Sequence, residues 1–161
     1  MASAEPVGLH PSLNPGVFAE LAALQDDESR TRFFADRPEL VCTGVVTQLA
    51  EAVRGHVRVD VRAAAAISEA AVLVAHRLDD ANAMGVALRA KANALWFLND
   101  LKAAVNLFNE AAHLFEISGN RVELGRTLSS SIQSLILLGD YPHALAAAER
   151  QRGAHLHGAD V

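Results

Sequence analysis

Two groups of four residues, forty positions apart, have side-chain types and spacing suited to molecular recognition. Within each group the intervals are three, four and three, which places the residues on one face of an α helix. Arginine pairs with carboxylates through its planar guanidinium group, and an amide side chain can both donate to and accept from a peptide backbone. A tryptophan offers a rigid apolar anchor. The two predicted recognition stripes are Val86, Arg89, Asn93 and Trp96, and Arg126, Ser129, Gln133 and Ile136.

Several of these residues also have a plain structural interpretation. Trp96 can fill the seam between neighbouring structural units, because buried aromatic side chains are common in protein cores. Arg89 can be an ordinary solvated residue on a helix. The matching amides of Asn93 and Gln133 can coincide by chance. These alternatives stay open on the sequence alone.

The sequence contains no recognisable catalytic, cofactor or metal motif. The serines at 129–131 lack the Gly-x-Ser-x-Gly turn that surrounds a nucleophile. There is no phosphate-binding loop, dinucleotide fingerprint or zinc-ligand spacing. His155 and His157 stand two positions apart, which directs them away from each other on a helix, and no third ligand lies nearby. We therefore predict no enzyme activity, no cofactor and no metal site.

Charge and composition argue against several other classes of protein. The 161 residues carry a net charge of −5, which disfavours binding to nucleic-acid phosphates or anionic membranes. Aromatic residues make up only 5%, a composition that favours closely packed helices over strands. Cys42 is the single cysteine, so no internal disulfide can form, and a reducing compartment fits best. Without a signal peptide or a long apolar run, a cytoplasmic protein with no membrane or nucleic-acid partner is predicted.

An internal repeat sets the predicted architecture. The segment Leu98–Val105 returns in similar form as Leu138–Leu145, forty residues later, and a weaker copy begins at Arg58. A repeat at this spacing indicates stacked helical units, none of which can bury its apolar face alone. Because strand signals are nearly absent, we predict an all-α fold of antiparallel helical hairpins.

The periodic pattern divides the chain into four segments. The first is rich in proline and small polar residues, which is typical of a flexible leader. Acidic residues at Asp26–Ser29 suit the start of a helix in the second segment. Glycines at 153 and 158 interrupt the helical pattern near the end. The predicted segments are a leader at 1–16, short helices at 17–37, a repeat domain at 38–153 with units at about 40–78, 81–118 and 121–153, and a frayed tail at 154–161.

The pattern inside the units resembles the tetratricopeptide repeat. Ala92, Ala104 and Ala111 fall where that family places small residues between its two helices, whereas Ile132 and Gln151 depart from the pattern in the next unit. The forty-residue period exceeds the usual one of about 34, and HEAT or armadillo repeats, which share the longer period, are the alternative. The resemblance implies a short right-handed α-solenoid of tetratricopeptide type. In such an array the first helices would line a concave groove, and both recognition stripes would face it.

Three functions stay open. The repeat class implies a non-catalytic module that binds a protein partner or peptide in its groove. The stretch Leu40–Arg150 is also similar to the arrays that precede CHAT domains, which are caspase-like protease domains of bacterial proteins, and this implies a regulatory role beside such a domain. The residues that carry this second resemblance are Arg58–Asp60, Ala87–Trp96 and Ala144–Arg150. Finally, the alanine-rich last helix has no helix after it to cover its face, which predicts a scaffold that forms a homodimer.

Overall fold

The chain is helical throughout the residues that the structure describes. The computed structural model describes the backbone of residues 11–156 and the side chains of residues 11–154. Eight α helices and a 3-10 turn at Pro38–Leu40 occur in this part of the chain, and no strand does. The predicted all-α class is therefore confirmed. The helices are α1 (Pro15–Ala23), α2 (Asp27–Ala35), α3 (Thr43–His56), α4 (Val61–Leu78), α5 (Ala81–Phe97), α6 (Leu101–Ser118), α7 (Arg121–Leu137) and α8 (Tyr141–Leu156).

Helices α4 to α8 begin after capping residues that stand twenty positions apart. The side chain of each capping residue accepts a hydrogen bond from the backbone N–H three residues later, at distances from 2.6 to 3.4 Å. These caps satisfy a donor that the first turn of a helix otherwise leaves unpaired. The five capping residues are Asp60, Asp80, Asp100, Asn120 and Asp140.

The residue before each of the last four caps adopts the left-handed backbone conformation. Asp79, Asn99, Gly119 and Gly139 have φ angles of 51°, 63°, 73° and 74°. Glycine tolerates this region without strain, and Asn and Asp tolerate it better than other residues. Because these turns reverse the chain within a few residues, the helices from α4 to α8 run antiparallel to their neighbours in sequence. With the separate turn at 57–60, they complete the hairpins α3–α4, α5–α6 and α7–α8.

Helix α5 lies at the centre of the packing. From α3 to α8 each helix packs against the next in sequence, and α3 also packs beside α5. Ala87 joins a core cluster with α1 to α4, whereas Leu88 joins a second cluster with α6 to α8. Ala92, Ala104 and Phe108 form a third cluster where α5 and α6 cross. Small residues therefore let α5 approach its neighbours closely on several sides.

The beginning of the described chain differs from the predicted leader. Residues 1–10 lie outside the described residues, but Leu13 is buried and its backbone N–H donates to Oε1 of Gln48 at 2.7 Å. The Nε2 of Gln48 in turn donates to the carbonyl of Pro11 at 2.8 Å. Residues 11–14 are thus held against α3, and α1 begins at Pro15. The helical period could not reveal this contact, because it joins positions 35 residues or more apart in the chain.

The end of the described chain also extends beyond the predicted boundary. Helix α8 continues through Gly153 to Leu156, and residues 157–161 of the predicted tail lie outside the described residues. A single glycine lowers the stability of a helix by about 1 kcal/mol but does not end it. The three hairpins span 43–78, 81–118 and 121–156, close to the three predicted units. Helices α1 and α2, in the segment predicted at 17–37, pack against α4.

Candidate functional site

A polar recess lies where helices α3, α5 and α7 face one another. Its volume is about 300 Å³. Four of the eight predicted recognition residues line it, namely Val86, Arg89, Asn93 and Arg126. The other polar side chains of the recess are Thr47, Glu51, Arg54, Asn82, Asn120 and Glu123. The first helices of all three hairpins therefore contribute to one site.

Ion pairs cross the polar recess between α5 and α7. The Nη2 atom of Arg89 lies 2.6 Å from Oε2 of Glu123, and Nη1 of Arg126 lies 2.8 Å from Oε1 of the same carboxylate. The Arg89 and Glu123 side chains are only 22% and 15% exposed. Oε2 of Glu123 is buried and accepts no hydrogen bond, because no N–H of Arg89 is directed at it. This contact is therefore an ion pair rather than an aligned hydrogen bond. Glu123 thus balances Arg89, while Arg126 stays largely in solvent.

Arg54 brings a third guanidinium group into the polar recess. Its Nη2 lies 2.6 Å from Oε1 of Glu51, and its side chain is 68% exposed. Burial lowers the pKa of Arg89, and the positive charges of Arg126 and Arg54 lower it further, whereas Glu123 raises it. Arginine nevertheless remains protonated near neutral pH. The recess therefore holds three positive and two negative charges, although the whole chain is acidic.

The recognition stripes did not include Arg54, and the repeat explains why. The residue forty positions before Arg89 is Leu49, which is fully buried in the core. The α3 residues that line the polar recess, Thr47, Ala50, Glu51 and Arg54, stand 39 positions before Val86, Arg89, Ala90 and Asn93, so α3 does not keep the forty-residue register at this face. Arg54 therefore lies one position away from the residue that the forty-residue repeat pairs with Asn93, and the repeat alone does not identify it.

The amide side chains that line the polar recess differ in whether they form hydrogen bonds with the rest of the described chain. Nδ2 of Asn120 donates to Oδ1 of Asn82 at 2.8 Å, and Oδ1 of Asn120 accepts the backbone N–H of Glu123. This pair links the start of α7 to α5. The amide of Asn93 is half-buried and makes no hydrogen bond within the described residues. Asn93 is therefore the amide that can bind a ligand's backbone.

The other four predicted residues do not line the polar recess. Ser129 lies at the contact between α7 and α8, where its hydroxyl accepts a hydrogen bond from Nε2 of Gln151. Trp96 packs against the cluster at the α5–α6 crossing and meets Phe97 edge to face with ring centroids 5.0 Å apart. Gln133 and Ile136 are exposed on α7. The structure therefore places Asn93 in the polar recess and Gln133 outside it.

A second cavity, which we name the apolar pocket, lies between α3 and the segment that contains α1. Its volume is about 660 Å³. Leu13 and Phe18 line it from the N-terminal side, and Ala52, Gly55 and Val59 line it from α3 and the turn that follows. No sequence pattern predicted this pocket, because its walls come from segments about forty residues apart.

Within residues 11–156, no helix combines the length and apolar character needed to cross a membrane. Nor do any three His, Cys, Asp or Glu side chains among residues 11–154 group as metal ligands, and His155 and His157 lie outside the described side chains. Comparison with protein-family models, curated proteins and solved structures yields no match.

Proposed function

We propose that this protein is a non-catalytic module that binds a peptide segment of a partner protein in the polar recess. One observation carries the proposal: Arg54, Arg89 and Arg126 converge from three hairpins beside the unpaired amide of Asn93. Three guanidinium groups against two carboxylates leave the site able to accept another carboxylate. Local positive charge on an acidic chain also steers an acidic segment towards this site.

The order of the helices supports an array of tetratricopeptide type. In a right-handed α-solenoid of this kind, the first helix of each hairpin lines the concave surface. Helices α3, α5 and α7 are the first helices of their hairpins, and they line the polar recess. Alanines at the α5–α6 crossing agree with the small residues of the repeat. We therefore propose that the polar recess is part of the concave groove.

Selection of peptides from a displayed random library tests this proposal. Replacing Arg54 and Arg126 by glutamine removes two exposed charges but retains the buried pair of Arg89 and Glu123. Fluorescence anisotropy should then show about tenfold weaker binding of the selected peptides, which corresponds to one lost charge-assisted contact. Circular dichroism should show an unchanged fold.

A matched variant controls for net charge. Arg32 pairs with its helical neighbour Glu28 much as Arg54 pairs with Glu51, and Arg58 is exposed. Replacing Arg32 and Arg58 by glutamine gives the same change in charge outside the polar recess and should leave affinity unchanged. Equal weakening in the two double variants, or no peptide that binds the wild-type protein, would contradict the proposed function.

Self-association is a second proposed function, and the exposed face of α8 favours it. Leu145 is 65% exposed, whereas Val105, its counterpart forty residues earlier, is 8% exposed because α7 packs over it. Tyr141, one turn before Leu145, is exposed as well. A second copy of the chain would cover this face in a symmetric dimer. Light scattering at micromolar concentration should show a dimer that Leu145→Glu dissociates, and a wild-type monomer would refute this proposal.

A regulatory role beside a CHAT-type protease is a third proposal, and it rests on the sequence resemblance alone. It predicts a caspase-like domain, with its His and Cys, encoded near this chain, and sequencing of the neighbouring coding region tests it. A cytoplasmic location is also proposed, since the single Cys42 fits a reducing compartment. Localisation of a tagged protein in cells tests that proposal.

A further inference from the structure

A ridge on α3 separates the polar recess from the apolar pocket and belongs to both. The exposed side chains of Thr47 and Glu51 line the two cavities together. Arg54 lies on the recess side of this ridge, and Phe18 and Val59 lie on the pocket side. A charged site and an apolar site thus adjoin across the width of a single helix.

We propose that the polar recess and the apolar pocket form one bipartite docking surface for a peptide that carries a carboxylate and, about three residues away, a large apolar side chain. This inference rests on the proposed peptide-binding function and specifies the ligand. A helix is about 10 Å wide with its side chains. An extended chain advances about 3.3 Å per residue, so about three residues cross the ridge.

The polar groups of the apolar pocket already have partners, which favours an apolar occupant. The side-chain amide of Gln48 forms hydrogen bonds with the backbone of Pro11 and Leu13, and Nδ1 of His56 lies 2.8 Å from the carbonyl of Ala52. The Thr47 hydroxyl donates to the carbonyl of Thr43, and Glu51 pairs with Arg54. The remaining wall is apolar and concave, and the volume of the apolar pocket lies in the range typical of ligand pockets. An apolar side chain can therefore enter without leaving a polar group unpaired.

The charges around the two cavities determine which cavity binds the carboxylate of the peptide and which binds its apolar side chain. The guanidinium groups lie in the polar recess, while the ionisable side chains that line the apolar pocket are Glu51 and His56. A carboxylate placed in the pocket would meet the negative charge of Glu51 on the ridge. The acidic residue of the peptide therefore belongs in the recess and the apolar residue in the pocket.

One position allows the apolar pocket to be filled without damage to the fold. A Cβ atom added to Gly55 meets no atom within 4 Å, and Gly55 lines the pocket. Gly55→Leu therefore places an apolar side chain in the pocket and also removes an unfavourable glycine from a helix. Gly153→Leu is the matched control, because its Cβ also meets open space and α8 lines neither cavity.

The test uses the full-length chain and a displayed library of random peptides about 12 residues long. Enriched peptides should share an Asp or Glu with Leu, Ile, Phe or Trp about three positions away. The best peptide, labelled with fluorescein, should bind Gly55→Leu about tenfold more weakly than the wild-type protein, since a buried large apolar side chain contributes at least that factor. Its variant with Ala at the apolar position should bind both proteins equally, and Gly153→Leu should match the wild type.

Three results would overturn the bipartite surface. If the peptides need the recess arginines but Gly55→Leu leaves their affinity unchanged, the apolar pocket takes no part, and the proposed function survives without this inference. If Gly55→Leu changes the oligomeric state in light scattering, the pocket is an interface between copies of the chain. If no peptide binds the wild-type protein, the proposed function and the inference both fail.

Discussion

The ion pair between Arg89 and Glu123 allows a quantitative test of the polar recess. Arg89→Met keeps an apolar stem of similar shape but removes the guanidinium group and its charge, and Glu123→Gln keeps the shape of the carboxylate without its charge. The hydrogen bonds of Glu123 to Asn120 and Thr127 use only its backbone N–H and carbonyl, so they persist in the variant. The two substitutions and their combination form a double-mutant cycle.

The expected magnitudes follow from burial and from the second partner of Glu123. Removing one member of a fully buried ion pair costs about 3–5 kcal/mol. Here the side chains retain 22% and 15% exposure, and in Arg89→Met the Glu123 carboxylate still has Arg126 at 2.8 Å. We therefore expect Arg89→Met to cost about 1–3 kcal/mol. Glu123→Gln leaves Arg89 near two like charges without a counterion and should cost a similar amount, while the double variant should lose less than the sum.

Urea denaturation followed by circular dichroism measures the cycle, provided that the slope with denaturant stays constant among the variants. A coupling energy of about 1 kcal/mol or more is expected. Single losses below about 0.5 kcal/mol that simply add in the double variant would refute the reasoning, since such values are typical of exposed pairs. In that case solvent would screen Arg89 and Glu123, and the balance of charge described for the polar recess would be wrong.

Further predictions test the turns, the core and the caps. Gly55→Ala should stabilise the protein by up to about 1 kcal/mol, because alanine has a higher helix propensity than glycine in the last turn of α3 and the added Cβ meets open space. Gly119→Ala should instead cost about 1–2 kcal/mol, because its φ of 73° is left-handed; urea denaturation measures both. Ala104→Leu should overpack the α5–α6 crossing and cost about 1–3 kcal/mol in thermal unfolding, and an unchanged melting temperature would contradict that packing. The hydrogen bond with His143 lowers the pKa of Asp140, so the contribution of this cap is complete above the ordinary carboxyl pKa and is lost as pH falls through the lowered value. Asp140→Asn should therefore reduce the loss of thermal stability in acid, and an unaltered acid profile would contradict this linkage.

The local features of this fold follow from the amino-acid sequence of short segments. Helix lengths, the caps at Asp60, Asp80, Asp100, Asn120 and Asp140, and the left-handed residues before the last four of them depend on neighbours within one turn of helix. For this reason the forty-residue repeat was sufficient to predict antiparallel hairpins, whereas the small residues at the α5–α6 crossing were predicted from the resemblance to the tetratricopeptide pattern. The twenty-residue spacing of the caps was also readable, although the predicted units used only the forty-residue period.

Which helix faces meet depends on how the helices pack in three dimensions. A helical period assigns residues to a face, but the angle between neighbouring helices determines what that face contacts. Arg54 therefore joins the polar recess although its repeat position gave no sign of it, whereas Ser129 turns to Gln151 and Trp96 packs at the α5–α6 crossing. The apolar pocket likewise exists because Gln48 holds a distant segment against α3. These contacts depend on distances in space that no local pattern encodes.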